Sequence, residues 1–183
     1  MKVGTDSVLL GSWINPAQSS DILDIGTGSG IIALMLAQKS FAQIDAIDVD
    51  HNACLQAEEN FKISPWQDRL HVIHQPFQEY AQTTDKKYDL IVSNPPYFQD
   101  AFKPAEEAKL KAKHGDSLCF AELIDGVKKL LTEKGRFCLI LPYREGNEFI
   151  GMALRKGLFC QEIVRVKTKA DKAEKRLMMA FTF

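Results

Sequence analysis

Short apolar runs alternate along the chain with longer segments in which apolar residues recur at helical spacing. The apolar runs predict strands at 21–25, 44–49, 70–73, 88–93, 136–141, 159–166 and 175–183. The helical spacing predicts helices at 5–14, 31–39, 51–61, 117–131 and 145–156, with a polar loop at 98–116. This alternation is typical of an α/β fold, here a mostly parallel seven-stranded sheet with helices on both faces and an antiparallel last strand.

Two of the helix starts are predicted from capping residues. Thr5 or Asp6 is expected to cap the first helix, which ends before the pair Asn15 and Pro16. Ser117 is expected to cap the helix at 117–131, with Glu122 placed too late for a capping box.

The strand at 88–93 stops abruptly at Asn94, Pro95 and Pro96. Proline lacks the N–H that a sheet ladder needs and keeps the preceding residue extended, so Asn94 is expected at the strand's tip. The prolines then lead into Tyr97. A rigid loop with an amide, a carbonyl and an aromatic ring suits a flat substrate that carries an exocyclic amine. The alternative is a tight turn whose tyrosine only packs on the surface.

A glycine-rich turn, Gly26, Gly28 and Gly30, follows the first strand and precedes a helix. Such turns let a ligand approach the backbone closely. The dinucleotide motif GxGxxG requires a glycine where this chain has Ile31, and Asp24 lies two residues before the turn. A carboxylate there repels a pyrophosphate and attracts a cation. The turn therefore favours S-adenosylmethionine, with its sulfonium and ammonium groups, over a dinucleotide.

Two further carboxylates follow the second strand. Asp48 ends that strand and is placed to accept hydrogen bonds from both hydroxyls of a ribose. Asp50 lies two residues later. For Asp24, Asp48 and Asp50 the alternative is a helix cap or a solvated turn residue, and for Asp50 the two interpretations have equal weight.

Composition narrows the class of protein further. Net charge is −1 over 183 residues, so no overall field points to a polyanionic partner. The four cysteines and four histidines show no metal-ligand spacing, and no metal is expected. The sequence has no membrane-spanning run and no signal peptide, which favours one reduced, cytoplasmic domain over residues 1–183. Oligomeric state is left open, and no feature indicates an obligate protein partner.

Three motifs occur in order: DIGTGSG at 24–30, AIDVD at 46–50 and SNPPY at 93–97. Together they resemble class I S-adenosylmethionine-dependent methyltransferases of planar nitrogens, which have a Rossmann-like fold. A closer similarity, to the bacterial tRNA(Val) adenine N6-methyltransferase family, runs through most of the chain. It rests on MKVGTDSVLLGSW, ILDIGTGSGIIALMLAQ, AEENFKISPWQDRL, YDLIVSNPPYF, KHGDSL and KRLMMAF.

This resemblance implies a role for each matching residue. Asp24 and the three glycines hold the methionyl part of the cofactor, and Asp48 its ribose. Thr5 and Asp6 lie near its amino-acid end, in a helix at 1–16 that flanks the cofactor and that a leader precedes in relatives. Asn94, Pro95, Pro96 and Tyr97 form the target pocket, with Tyr97 and Phe98 stacking on the base and His114 near the substrate. Where many methyltransferases place an aspartate near the cofactor adenine, this chain has Gln75, Pro76 and Phe77.

Two locally basic segments are candidates for contact with RNA phosphates. The first, 103–114, has a surplus of two positive charges, and the second, 165–176, a surplus of four and includes Lys169 and Lys172. Ordinary solvated loops are an equal alternative. Other substrates also stay open: DNA adenine, rRNA guanine or protein glutamine. From other classes, a non-catalytic cofactor- or RNA-binding module and a dinucleotide oxidoreductase remain.

Overall fold

Seven strands pair into one sheet in the computed structural model, which describes residues 4–95 and 118–183. The strands are β1 (Asp21–Ile25), β2 (Gln43–Asp48), β3 (Leu70–His74), β4 (Tyr88–Ser93), β5 (Leu131–Pro142), β6 (Phe159–Lys167) and β7 (Glu174–Thr182). The helices are α1 (Thr5–Trp13), α2 (Ile31–Lys39), α3 (His51–Lys62), α4 (Phe77–Thr83), α5 (Phe120–Leu130) and α6 (Tyr143–Arg155). A short 3-10 helix (Gln67–Arg69) precedes β3.

The strand order across the sheet is β3-β2-β1-β4-β5-β7-β6. The first five strands in this order are parallel, and β7 runs antiparallel to both β5 and β6. This confirms the predicted mostly parallel sheet with one antiparallel strand at the end of the chain. The order reverses between β1 and β4, and in open α/β sheets ligands bind beyond the carboxyl ends of the strands at such a reversal.

Alternate residues of each strand enter two separate hydrophobic clusters, one on each face of the sheet. In β1, for example, Leu23 and Ile25 belong to one cluster and Ile22 to the other. Apolar residues of α4, α5 and α6 cover the first face, and those of α1, α2 and α3 cover the second. Helices therefore lie on both faces, as the sequence predicts.

Two capping predictions are wrong. The N-cap of α1 is Gly4, so neither Thr5 nor Asp6 caps that helix. The helix predicted from Ser117 begins at Phe120 with Cys119 as its N-cap, and Ser117 lies outside the described residues. This later start places Glu122 three residues after the cap, where its carboxylate accepts a hydrogen bond from the Cys119 N–H at 3.2 Å.

Two elements differ from the sequence prediction for a local reason. Helix α4 was not predicted because it has only 7 residues, with Phe77, Tyr80 and Ala81 as its buried face. Strand β5 begins at Leu131, five residues earlier than predicted, and its pairing with β4 shifts register between Tyr88 and Leu90. The polar residues Thr132, Glu133 and Lys134 interrupt the hydrophobic pattern there, so the sequence does not indicate that the strand has already begun.

Four polar side chains, Asp45, Tyr80, Lys86 and Tyr88, form a hydrogen-bonded cluster near the amino end of the sheet. Asp45, 6% exposed, accepts hydrogen bonds from the Tyr88 hydroxyl at 2.6 Å and from Lys86 Nζ at 2.8 Å. The Tyr80 and Tyr88 hydroxyls are also hydrogen bonded. Burial and then the Asp45 carboxylate raise the pKa of Tyr88, so its hydroxyl stays protonated and donates.

Tyr88→Phe is expected to lower the free energy of unfolding by about 2 kcal/mol, because the buried Asp45 carboxylate loses a donor. Urea denaturation measures the change. Tyr143→Phe, at a tyrosine that is 41% exposed, is the matched control and is expected to be neutral. Equal stability of the Tyr88 and Tyr143 variants would contradict a stabilising role for this cluster.

Among the described residues, no helix is both long and apolar enough to cross a membrane.

Candidate active site

The turn between β1 and α2 depends on its glycines. Gly26, Gly28 and Gly30 have φ of 70°, 57° and 80°, in the left-handed region that side chains disfavour. At Gly30 a Cβ would also lie 2.4 Å from the Phe61 ring. Around Gly26 a Cβ would meet nothing within 4 Å. The turn thus packs against α3 at Gly30 and leaves open space at Gly26.

Four N–H groups of this turn already donate to acceptors within the protein. Gly26 and Thr27 both donate to the Ile47 carbonyl, at 2.9 and 3.1 Å, and Gly30 donates to the Thr27 carbonyl at 3.0 Å. The Gly28 N–H donates to Asp48 Oδ2 at 2.9 Å. A phosphate-binding turn needs such groups directed at the ligand. These four groups are therefore not directed at a pyrophosphate, in agreement with the spacing of the glycines.

Asp24 lies below the turn and is fully buried, at 0% exposure. Its Oδ2 accepts the Thr27 hydroxyl at 2.7 Å, while Oδ1 has no hydrogen-bond partner among the described residues. Burial raises the pKa of Asp24 to about 7, against the lowering effect of the Thr27 hydroxyl. A buried carboxylate with an unsatisfied oxygen is a site that a cation would stabilise.

Asp48 and Asp50 have different environments at the end of β2. The two oxygens of Asp48 accept the Gly28 N–H and the Asp50 N–H, at 2.9 and 3.0 Å, which fixes the carboxylate beside the glycine turn. Asp50 is the N-cap of α3, and its Oδ1 accepts the Asn52 N–H at 2.8 Å. The capping alternative for Asp50 is therefore confirmed.

Asn94 lies next to the glycine turn because of the strand register. Ile25 of β1 pairs with Ser93 of β4, so the residues that follow them, Gly26 and Asn94, are adjacent. The Ser93 hydroxyl donates to the Ile25 carbonyl at 2.9 Å and joins the two strand ends. Pro95, the next residue in the chain, is buried. Asn94 Nδ2 donates to the Ser7 hydroxyl of α1 at 2.9 Å.

The first turn of α1 contacts strand β7 as well. Arg176 Nε donates to Asp6 Oδ2 at 2.8 Å, and both side chains are mostly buried. Thr5 is exposed. Ser7 was not predicted to act at the site, and Arg176 was predicted only as part of the basic segment 165–176. Contacts across 87 and 170 residues leave no local pattern in the sequence.

The residues after β3 divide between the core and the rim. Phe77 is buried in the first cluster, whereas Gln75 and Pro76, the N-cap of α4, are half-buried at the rim. The structure also brings His51 and His74 together, with ring centroids 5.1 Å apart. Within residues 4–95 and 118–183, no group of three or more His, Cys, Asp or Glu side chains is arranged to hold a metal ion.

Lys169 and Lys172 are exposed in the turn between β6 and β7. Because β5 is parallel to β4 and its last residue, Pro142, pairs with Arg176, this turn lies at the same edge of the sheet as Asn94. Lys172 is 3.8 Å from Asp171, a pair with both side chains exposed. The second basic segment is thus at the same edge as the glycine turn, between the second and third strands from β4.

Several predicted residues lie outside the described part of the chain: Pro96, Tyr97, Phe98, His114 and the basic segment 103–114.

Comparison with known proteins identifies the family. The family model described as methyltransferase small domain matches residues 2–163. The chain belongs to this methyltransferase family. Proteins named tRNA1(Val) (adenine(37)-N6)-methyltransferase are similar to it along almost its whole length. Those from Proteus mirabilis, Trichodesmium erythraeum and Bacteroides fragilis are each 44% identical, over 99%, 98% and 100% of this chain and 73%, 76% and 78% of theirs.

Solved methyltransferase structures share the fold. A predicted O-methyltransferase from Agrobacterium tumefaciens superposes with a TM-score of 0.75 at 17% identity, over 97% of this chain and 80% of its own. The glycopeptide N-methyltransferase MtfA, complexed with sinefungin, gives a TM-score of 0.71 at 11% identity, over 99% and 94%. The methyl donor of the present methyltransferase is S-adenosylmethionine. Two features of the site fit this cation, which has no phosphate: the buried carboxyl of Asp24, and the N–H groups of the glycine turn that donate to protein acceptors.

Asp24 makes the stability of this methyltransferase depend on pH. Its pKa is about 7 in the fold and 3.8 for an ordinary aspartate, so the folded state binds the extra proton between these values. The contribution of this proton to the free energy of unfolding is fully present below pH 3.8 and is lost as the pH rises through about 7.

Without ligand, the free energy of unfolding is expected to fall by on the order of 3 kcal/mol between about pH 5 and pH 8 because of Asp24. Asp24→Asn removes the titrating group, so the free energy of unfolding of this variant is expected not to show that pH-dependent decrease. Urea denaturation of both proteins across the range measures the difference. Parallel pH profiles would contradict the assignment to Asp24.

Proposed function

We propose that this methyltransferase transfers a methyl group from S-adenosylmethionine to the N6 amine of an adenine in tRNA, in the anticodon loop of tRNA(Val). The observation that carries the proposal is similarity over almost the whole chain to relatives with that named activity. The position of Asn94 beside the glycine turn supports it. Such a substrate implies that the enzyme works in the cytoplasm. Residues 1–183 then form one catalytic domain.

The cofactor's site is proposed on the carboxyl ends of β1 and β2. The unsatisfied Oδ1 of Asp24 is suited to the methionyl ammonium, and Gly26 leaves space for the backbone to approach the methionyl chain. Each Asp48 oxygen already accepts one N–H, and its second lone pair is the proposed acceptor for a ribose hydroxyl. When bound, S-adenosylmethionine supplies an electrophilic methyl group on its sulfonium.

The proposed chemistry at Asn94 needs acceptors and no strong base. The lone pair of an adenine N6 amine is conjugated with the ring, which makes the nitrogen a poor nucleophile. If the Asn94 side-chain oxygen and the Pro95 carbonyl each accept one N–H, the nitrogen moves toward a tetrahedral geometry. Its lone pair then points at the methyl group. Transfer would break the bond between sulfur and methyl, and the methylated nitrogen would lose one of its N–H protons to water. Orientation and preorganised acceptors supply most of the catalysis.

Loop RNA suits this pocket better than a duplex. Stacking of a base on an aromatic side chain contributes about 1–3 kcal/mol, and Tyr97 and Phe98 are the proposed partners. An unpaired base is extruded at little cost, whereas flipping one from a helix costs a few kcal/mol. His114, in the KHGDSL stretch, is proposed to lie near the substrate.

The turn between β6 and β7 is proposed as a phosphate-binding surface. It lies at the catalytic edge of the sheet, and at about 4.8 Å per strand it is about 10–15 Å from Asn94. This separation suits contact with the RNA backbone on one side of a bound loop, where Lys169 and Lys172 neutralise phosphates.

The substrate class is tested by transfer of labelled methyl from S-adenosylmethionine to separate pools of unmodified RNA, DNA and protein. We expect label in the tRNA fraction as N6-methyladenosine. Label confined to DNA, to rRNA guanine or to protein glutamine would overturn the tRNA proposal and retain the pocket chemistry. Cofactor binding with no label in any pool would favour a non-catalytic module.

Asn94→Ala is expected to lower kcat by about 10²–10³, because one preorganised acceptor at the reacting nitrogen is lost. The cofactor's dissociation constant is expected to stay close to that of the wild type. Single-turnover kinetics and calorimetry measure the two quantities. Asn147→Ala, at an exposed asparagine of α6, is the matched control. Near-wild-type turnover of the Asn94 variant would show that the proposed mechanism is wrong.

Reversing two charges in the hairpin turn tests the RNA surface. Lys169→Glu with Lys172→Glu is expected to weaken tRNA binding and to reduce the slope of log affinity against log salt by about 1.5, if each lysine contacts one phosphate. Lys62→Glu with Lys134→Glu makes the same change in net charge at exposed positions near the amino edge of the sheet. Equal slopes for the two double variants would remove the hairpin turn from the interface.

A further inference from the structure

We propose that Ser7 and Arg176 are positioning residues for methyl transfer, which hold the Asn94 carboxamide through the first turn of α1. The inference rests on the proposed function, because it assigns these residues to the orientation of Asn94. It gives α1 a role in catalysis that is separate from any contact with the cofactor.

The contact between Ser7 and Asn94 fixes one arm of the carboxamide. Asn94 Nδ2 is a donor only, so the Ser7 hydroxyl accepts this hydrogen bond, at 2.9 Å. The carboxamide is planar, and holding Nδ2 toward α1 directs Oδ1 away from that contact. Oδ1 is the atom that the proposed mechanism uses as an acceptor. The serine thus acts on the reaction through the asparagine.

Tertiary contacts, and not a local cap, hold the first turn of α1 in place. Its N-cap is Gly4, which provides no side-chain hydrogen bond. The ion pair between Asp6 and Arg176 anchors this turn to β7 at 2.8 Å, with 20% and 28% of the side chains exposed. Partial burial reduces screening, so this pair is expected to hold more firmly than an exposed one.

The other end of α1 is fixed independently. Lys39 Nζ, from the last turn of α2, donates to the carbonyls of Gly11, Ser12 and Ile14 at 2.7, 2.8 and 3.2 Å. The last turn therefore stays on α2 if the first turn is released. Loss of the Asp6–Arg176 pair is expected to loosen the segment that carries Ser7 without detaching the helix.

These contacts separate Arg176 from its basic neighbours. Its Nε donates to Asp6 and its Nη1 to the Lys175 carbonyl at 3.0 Å, so at least two of its donors bind protein groups. Arg165, on the adjacent strand, is exposed. Arg176 is thus assigned to the helix, whereas Arg165 belongs to the surface charge of the hairpin.

The serine is tested by Ser7→Ala, with Ser7→Thr as the conservative variant and Ser12→Ala, an exposed serine of the same helix, as the control. We expect Ser7→Ala to lower kcat about tenfold, the equivalent of one ordinary hydrogen bond, with the KM for tRNA and the Kd for S-adenosylhomocysteine unchanged. Ser7→Thr is expected to restore kcat to within about twofold of wild type, since it keeps the hydroxyl. Wild-type kcat in Ser7→Ala would overturn the proposal.

The ion pair is tested by Arg176→Met, Asp6→Asn and the double variant. Each single variant is expected to lower kcat about tenfold, and the double variant is expected to lose no more than either alone, because the pair acts as a unit. Arg165→Met removes the same charge from the same hairpin, and its effect is expected on the KM for tRNA alone. An Arg176→Met variant that matches Arg165→Met would overturn the role of Arg176.

Two measurements keep this test separate from that of the proposed function. Thermal unfolding identifies any variant that lowers kcat only by unfolding. If Ser7→Ala is such a variant, a folded Ser7→Thr with wild-type kcat supports the role of the hydroxyl, and one with the low kcat of Ser7→Ala overturns it. If wild-type enzyme labels DNA or protein and not tRNA, the proposed substrate is wrong. The same variants are then assayed on the substrate that accepts the label, where an unchanged kcat in Ser7→Ala overturns the positioning role.

Discussion

The pairing of β1 with β2 on one side and β4 on the other is the constraint on which the site depends. All three strands are parallel, so the segments that follow them emerge at one edge. The register of Ile25 with Ser93 then brings the glycine turn beside Asn94, although 68 residues separate them. Neither segment could reach the other without this sheet. The two hydrophobic clusters that cover its faces therefore also maintain the geometry of the site.

The electrostatics of the turn explain why this edge suits a cation. The N–H groups of Gly26, Thr27, Gly28 and Gly30, four of those that a phosphate-binding turn would present, donate to Ile47, Asp48 and Thr27 instead. Below them, burial raises the pKa of Asp24 to about 7, which shows that ionising this carboxyl costs free energy in the fold. A bound ammonium would offset that cost. The free energy that ionised Asp24 costs the ligand-free protein is thus recovered when the cofactor's ammonium binds, which adds to the affinity for the cofactor.

Much of the arrangement could be predicted from the sequence because it is locally encoded. The bounds of β1 and β4 are correct to the residue, since a glycine turn and a pair of prolines end their apolar runs sharply. Helix α4 is too short for its period to stand out, and the cap of α5 lies two residues beyond the serine that suggested it. The pairing of Asp6 with Arg176 joins distant segments and leaves no local pattern. Asp50 shows the remaining difficulty, because a helix cap and a ligand contact call for the same residue type.

A crystal structure with S-adenosylhomocysteine and adenosine bound together tests the central claim most directly. The account predicts that the ligand's ammonium contacts Asp24 Oδ1, that its ribose hydroxyls contact Asp48, and that the adenosine N6 amine donates to Asn94 Oδ1 with the sulfur close by. A ligand whose sulfur lies away from Asn94, or whose ammonium makes no contact with Asp24, would contradict it.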